Sequence, residues 1–198
     1  MNKQIQLGAT DTSKLQLDLA QLLETKMLIQ ANSGGGKSVL ARRIAAALGL
    51  PCTEVDSILW RPGWQLAPPE VYDSEHARLV AQDRWVLEGL GTRASLPPRF
   101  QRATHIVLID MPLWVHFWLA AERHVAWLGG HLEHPPAGSA KPAPLKALFA
   151  TIDEIDREWM PQMRRLVADE EKSGKQVFRL ATFEDVISFR PSVLQSQQ

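Results

Sequence analysis

Short apolar runs alternate along this chain with longer stretches whose apolar residues recur at helical spacing. The runs are Met27-Leu28-Ile29, Cys52 to Val55, Trp85-Val86-Leu87, Ile106-Val107-Leu108-Ile109 and about Gln176 to Leu180. Between them lie helical patterns through Val39, Leu40 and Ile44, over about Glu70 to Gln82, after Pro112, and from Leu145 to about Lys172. Short strands alternating with helices predict a three-layer α/β fold, with a five-stranded parallel sheet covered on both faces. Gly49 and Pro51 end the first helix, Pro68 and Pro69 open the next, and Ser173-Gly174 breaks the long one, which is expected to bend at Pro161.

The same pattern sets the domain organisation. Leu15, Leu19, Leu22 and Leu23 share one helical face, so residues 1–24 read as a helical extension. Residues 25–190 form the main domain. A Gly-, Pro- and His-rich stretch over about 129–144 reads as a lid-like loop, and the polar residues 191–198 as a flexible tail.

In a parallel sheet, ligands sit beyond the carboxyl ends of the strands. The polar residues that follow the strands here are the Ala31–Ser38 loop, Asp56, Glu88 and Asp110. The loop reads Ala-Asn-Ser-Gly-Gly-Gly-Lys-Ser and stands between a strand and a helix. Glycines let the backbone turn its N–H groups toward an anion, and the helix adds its free N–H groups and its positive end. Ser33, Gly34, Gly35, Gly36, Lys37, Ser38 and Val39 are therefore the candidate nucleotide contacts. Lys37 reaches toward the outer phosphates, and the Ser38 hydroxyl toward Mg²⁺. The usual pattern is Gly-x-x-x-x-Gly-Lys-Ser/Thr, and Ala31 stands where its first glycine is expected.

Composition narrows the partners. The chain has 198 residues with 22 basic and 22 acidic side chains, so it lacks the basic excess of a nucleic-acid binder. No apolar run is long enough to span a bilayer, and the start lacks a secretory signal core. The single cysteine, Cys52, allows no intrachain disulfide and is read as core, which fits a cytoplasmic protein.

Four segments together resemble the adenylate-kinase-like P-loop proteins labelled DNA topology modulation proteins, within the nucleoside monophosphate kinase fold. They are Ser33 to Ser38, Asp56 to Trp64 with Trp-Arg-Pro-Gly-Trp, Arg84 to Gly89 with Arg93 following, and Ile109 to Pro112. The resemblance implies sheet order 2-3-1-4-5, ATP and Mg²⁺ as cofactors, and a lid over the site. It implies that Glu88 holds Mg²⁺ through water and that Arg93 meets the acceptor's phosphate. It also implies that Arg123 and Arg157 stabilise charge on the transferring group. Other arginines of the group's pattern are replaced here by Leu119, His124, Met160 and Gln162, and Arg164 and Arg165 stand one turn away.

Several side chains admit two readings. Glu88 serves Mg²⁺ or a structural ion pair, and Asp110 serves Mg²⁺ or caps a helix. Asp56 accepts a proton from an acceptor hydroxyl or closes a turn through Ser57. Trp60, Arg61 and Trp64, with Gly89 and Arg93, form an acceptor pocket, or the tryptophans close a corner of the core. His124, His131 and His134 lack zinc-site spacing and read as a polar loop. The expected function is an ATP-dependent kinase acting on a nucleoside monophosphate or another small acceptor. The alternative is a nucleotide-binding regulatory protein of weak or no turnover, linked to DNA topology indirectly. Base contacts are expected from Arg179 and Ala181.

Overall fold

The computed structural model describes residues 4–10, 13–18, 24–33, 36–132 and 141–190, with the backbone alone before residue 24. The first described elements are strands β1 (Gln4–Thr10) and β2 (Ser13–Asp18), paired antiparallel with Ile5 opposite Leu17. This corrects the helix expected over residues 1–24. The alternation of Ile5 with Leu7 and of Leu15 with Leu17 has a period of two, which suits a strand and outweighs the helical spacing from Leu15 onward. Leu19, Leu22 and Leu23 lie outside the described residues.

The main sheet is built from β3 (Lys26–Ala31), β4 (Cys52–Glu54), β7 (Trp85–Glu88), β8 (His105–Ile109) and β9 (Gln176–Leu180). All are parallel, in the order β4-β7-β3-β8-β9. Counted along the chain from β3 with every strand included, this is 2-5-1-6-7. It differs from the expected numbering because a short antiparallel ribbon, β5 (Trp60–Arg61) with β6 (Gln65–Leu66), intervenes where a loop was expected.

Helices α1 (Lys37–Leu48), α2 (Asp56–Leu59), α3 (Pro69–Ala81), α4 (Leu96–Arg102), α5 (Leu113–Leu128), α6 (Leu145–Glu154), α7 (Met160–Lys172) and α8 (Phe183–Ser188) complete the described fold. β3 is buried along its whole length, and its side chains alternate between two cores. Leu28 joins Tyr72, Leu79, Phe100, Met163 and Val167 under α3, α4 and α7. Met27, Ile29 and Ala31 join Leu40, Ile44, Val107 and Val115 under α1 and α5. Each large aliphatic side chain buried this way contributes roughly 1.5–3 kcal/mol.

The long helix expected over 145–172 is interrupted one turn before Pro161, by a π-helical turn at Ile155–Trp159. Pro161 has no N–H to give the carbonyl four residues earlier, so the α ladder cannot run through it unbroken. Cys52 is exposed rather than core, because β4 is an edge strand. Partial burial of the thiol, with Glu88 and Glu54 nearby, pushes it up to about 11, which keeps it protonated at neutral pH.

Candidate functional site

Register brings the predicted residues to one edge of the sheet. Glu88 lies opposite Ile29 of β3 and Glu54 of β4. The next residue of β4 extends the pairing, with Val55 N–H donating to Glu88 O at 2.7 Å. The end of β7, the start of α2 and the glycine-rich loop after β3 therefore meet. Gly36 leads into α1 with φ 73°, a conformation that a Cβ would strain, and Leu40 N–H returns to Gly36 O at 3.1 Å. Gly34 and Gly35 lie outside the described residues. Lys37 is buried, Ser38 partly buried, and Val39 exposed.

Glu88 has 2% of its surface exposed. Burial pushes its carboxyl up to about 7, and Glu54 and Asp56 push the same way, against Lys37 and a hydrogen bond from Ser38. Among the described residues, its Oε2 has no hydrogen-bond partner. A buried carboxylate oxygen left unpaired is costly, and a hydrated cation would relieve it. The donor set fits Mg²⁺: the Ser38 hydroxyl and the Glu88 carboxylate are both hard oxygen donors and lie next to each other where β7 ends and α1 begins. Among the described residues, no group of three or more His, Cys, Asp or Glu could hold a metal by itself.

Asp56 closes a turn, although not the expected one through Ser57, whose hydroxyl donates to Glu54 O at 2.7 Å. The Asp56 carboxylate instead accepts Gly91 N–H at 2.8 Å and Leu90 N–H at 3.4 Å. The loop after β7 is gripped from below as well. Gln30 Nε2 and the Arg99 guanidinium both donate to Gly89 O, at 3.0 and 2.7 Å. Arg99, which the sequence reading missed, is fully buried and also binds Leu90 O and Ser95 O. Its position inside α4, among Leu96, Pro97 and Phe100, is the only trace of that role in the sequence.

Arg93 is held by the π turn. It pairs with the Glu158 carboxylate at 3.2 Å, donates to Glu158 O at 3.2 Å, and stands 6.0 Å from the centre of the Trp159 ring. Arg157, on the same turn, pairs with Asp153 at 3.1 Å. Asn32 ties this region to the glycine-rich loop. Its Nδ2 donates to Ile152 O at 3.1 Å, while its Oδ1 accepts Ser33 N–H at 2.7 Å. His116 of α5 is also buried, close to Ser33, Met111 and Lys37, and among the described residues its Nδ1 has no hydrogen-bond partner. Burial lowers its pKa, and Lys37 acts in the same direction. Neither Asn32 nor His116 stood out in the sequence. For His116 the signal available was a polar residue inside an otherwise apolar run.

Other expectations are displaced. Asp110 neither caps α5 nor stays free for a cation, because Arg164 clamps both of its oxygens at 2.8 Å. These two residues, with Asp156 and Ala181, line a cleft of about 500 Å³ beside the ends of β8 and β9. Arg179 is engaged by Glu171 at 2.8 Å. A larger hollow of about 680 Å³ between α3 and α4 is lined by Asp73, His76 and Arg102 and holds none of the predicted site residues.

In the β5–β6 ribbon, Trp60 and Trp64 pack edge to face at 5.9 Å, and Trp64 reaches Trp127 of α5 and donates toward Lys141 O. The ribbon thus docks at the two chain ends that flank residues 133–140, which lie outside the described residues together with His134. Arg61 and Arg123 are exposed, and among the described residues neither forms an ion pair.

No family model matches the chain, and no curated protein matches it by sequence. Solved structures do. A shikimate kinase from Acinetobacter baumannii, in complex with shikimate, is 11% identical with a TM-score of 0.50; the match covers 89% of this chain and 92% of that one. A shikimate kinase from Bacteroides thetaiotaomicron is 13% identical, with a TM-score of 0.45 and coverage of 86% and 96%. A gluconokinase from Sinorhizobium meliloti 1021 is 18% identical, with a TM-score of 0.39 and coverage of 71% and 98%. The first of these shares its fold with this chain; the other two superpose too loosely to add to it. Membership of the DNA topology modulation group is not shown. No helix among the described residues is long and apolar enough to cross a membrane.

Proposed function

We propose that this chain is an ATP-dependent phosphotransferase acting on a small acceptor, a nucleoside monophosphate or a hydroxylated acid. The observation that carries the reading is the buried Glu88 carboxylate, with one oxygen unpaired among the described residues, beside the Ser38 hydroxyl and the Lys37 ammonium. Ser38 and Glu88, the latter through water, would hold Mg²⁺, which when bound supplies charge neutralisation on the β- and γ-phosphates. Lys37 and the N–H groups at the start of α1 bind and orient the same phosphates. Asp56 shapes the acceptor side by fixing the loop Gly89 to Gly91, and it retains lone pairs for an acceptor hydroxyl. Arg93 and Arg157 stand together on or against the π turn. There they would receive an anionic acceptor or the transferring group once Glu158 and Asp153 release them.

Transfer of label from γ-labelled ATP, assayed across nucleoside monophosphates and hydroxylated acids including shikimate, tests the reading. Transfer to at least one acceptor, abolished by Lys37→Met, is expected. Tight nucleotide binding with no transfer to any of them would favour the regulatory alternative.

A further inference from the structure

One face of α5 is apolar and open. Trp114 is 63% exposed, Trp118 61%, Val125 68% and Leu128 63%, and partly buried Ala121 lies between them. Their spacing is 4, 3, 4, 3 along the helix, the seam of a two-helix coiled coil. The buried side of α5 is a different set, Val115, His116 and Ala120. The two tryptophans are stacked with ring centres 6.4 Å apart, so they form one continuous plate.

We infer that this face is the contact between two copies of the chain, with α5 antiparallel to its own mate and the two-fold axis at Ala121. The arrangement of sizes sets the direction. An axis at Ala121 puts Trp118 against Val125 of the second copy and Trp114 against Leu128, a large side chain meeting a small one at each level. The small Ala121 falls where the helices approach most closely. A parallel pairing sets tryptophan on tryptophan at one end. The contact is self-complementary, as a two-fold interface requires.

The area agrees. Tryptophan buries about 150–250 Å², so at these exposures the face offers on the order of 500 Å² per copy. That lies in the upper part of the roughly 300–600 Å² range of the largest apolar patch on a monomer, a size that often marks a functional surface. Two copies together reach on the order of 1,000 Å², where specific interfaces begin. None of the five seam positions is charged, and the net charge of zero sets up no repulsion between copies. A membrane is the less suitable occupant, because α5 carries one arginine offset by one glutamate and lacks the basic flank of an interfacial helix.

Sedimentation equilibrium of the full chain at micromolar concentration tests this. Wild type is expected at twice the chain mass. Trp118→Lys and Val125→Glu are each expected to weaken association by about 100-fold or more, since each places an unpaired charge in the contact. The double variant, carrying both substitutions, sets the new ammonium of one copy against the new carboxylate of the other at two symmetric places and is expected to recover dimer. Circular dichroism of each variant verifies folding. The inference is overturned by a monomeric wild type, including one that binds anionic vesicles, or by a dimer indifferent to the single variants. It is also overturned by a double variant that stays monomeric while folded. The inference is independent of nucleotide chemistry and stands or falls without it.

Discussion

Glu88→Gln separates the burial of this carboxylate from its purpose. In metal-free protein the folded carboxyl titrates at about 7 instead of the ordinary 4.5, chiefly because burial penalises the charge. Below the ordinary value, folded and unfolded chains are both protonated and nothing is gained or lost. Between the two values the unfolded chain releases its proton while the folded chain keeps it, so stability falls as pH rises. Above 7 the loss is complete. At ~1.4 kcal/mol per pH unit it amounts to about 3 kcal/mol. Glutamine fills the same space and does not titrate. Urea denaturation in chelator should therefore find the two proteins alike near the ordinary carboxyl pKa and E88Q about 3 kcal/mol more stable at mildly alkaline pH. With magnesium and ATP the order should reverse, because the cation favours the ionised carboxylate and only wild type has one. A stability difference that stays flat with pH, or a variant that keeps full magnesium-dependent stabilisation, would refute the reasoning.

Three further outcomes follow from the loop after β7 and the turn that faces it. Arg99→Met keeps the apolar stem but strips the donors from Gly89 O, Leu90 O and Ser95 O; a loss on the order of 4 kcal/mol is expected in urea melts, and a loss below about 1 kcal/mol would contradict it. Gly91→Ala drives a Cβ into Tyr72 Oη, well inside contact distance, at φ +63°; a loss of about 3 kcal/mol is expected, part of it restored when Tyr72→Phe is added. Glu158→Ala removes an ion pair whose partners are about half exposed, so stability should move by less than about 1 kcal/mol. The same change frees Arg93 and should lower KM for an anionic acceptor, while an unchanged KM would remove Arg93 from the acceptor site.

The fold was legible where local pattern and tertiary fate agree. Met27 to Ile29 and Ile106 to Ile109 are apolar because both faces of the central strands are covered, and strand, loop and helix around Lys37 carry their own signals. The site was legible only at positions that end a strand. Glu88 was visible as a carboxylate closing a buried run; the register sets Ile29 and Glu54 opposite it, and the start of α1 brings Ser38 and Lys37 beside it. Asn32 and Arg99 act on backbone groups brought close by folding, and no spacing along the chain announces such partners. The π turn escaped notice because the helical period on either side of Ile155–Trp159 is intact. The β1–β2 hairpin was misread because a leucine-rich segment satisfies two periods at once, and only pairing with Gln4–Thr10 selects one. Asp110 illustrates the converse: the sequence showed the carboxylate but not Arg164, which claims it from 54 residues away.

Titration calorimetry with magnesium adenosine triphosphate tests the central claim most directly, that the Lys37–Ser38 loop and Glu88 hold a magnesium-bound polyphosphate. Saturable binding is expected, weakened when magnesium is withdrawn and lost in Lys37→Met. No binding heat with adenosine triphosphate, and none with guanosine triphosphate, would contradict it.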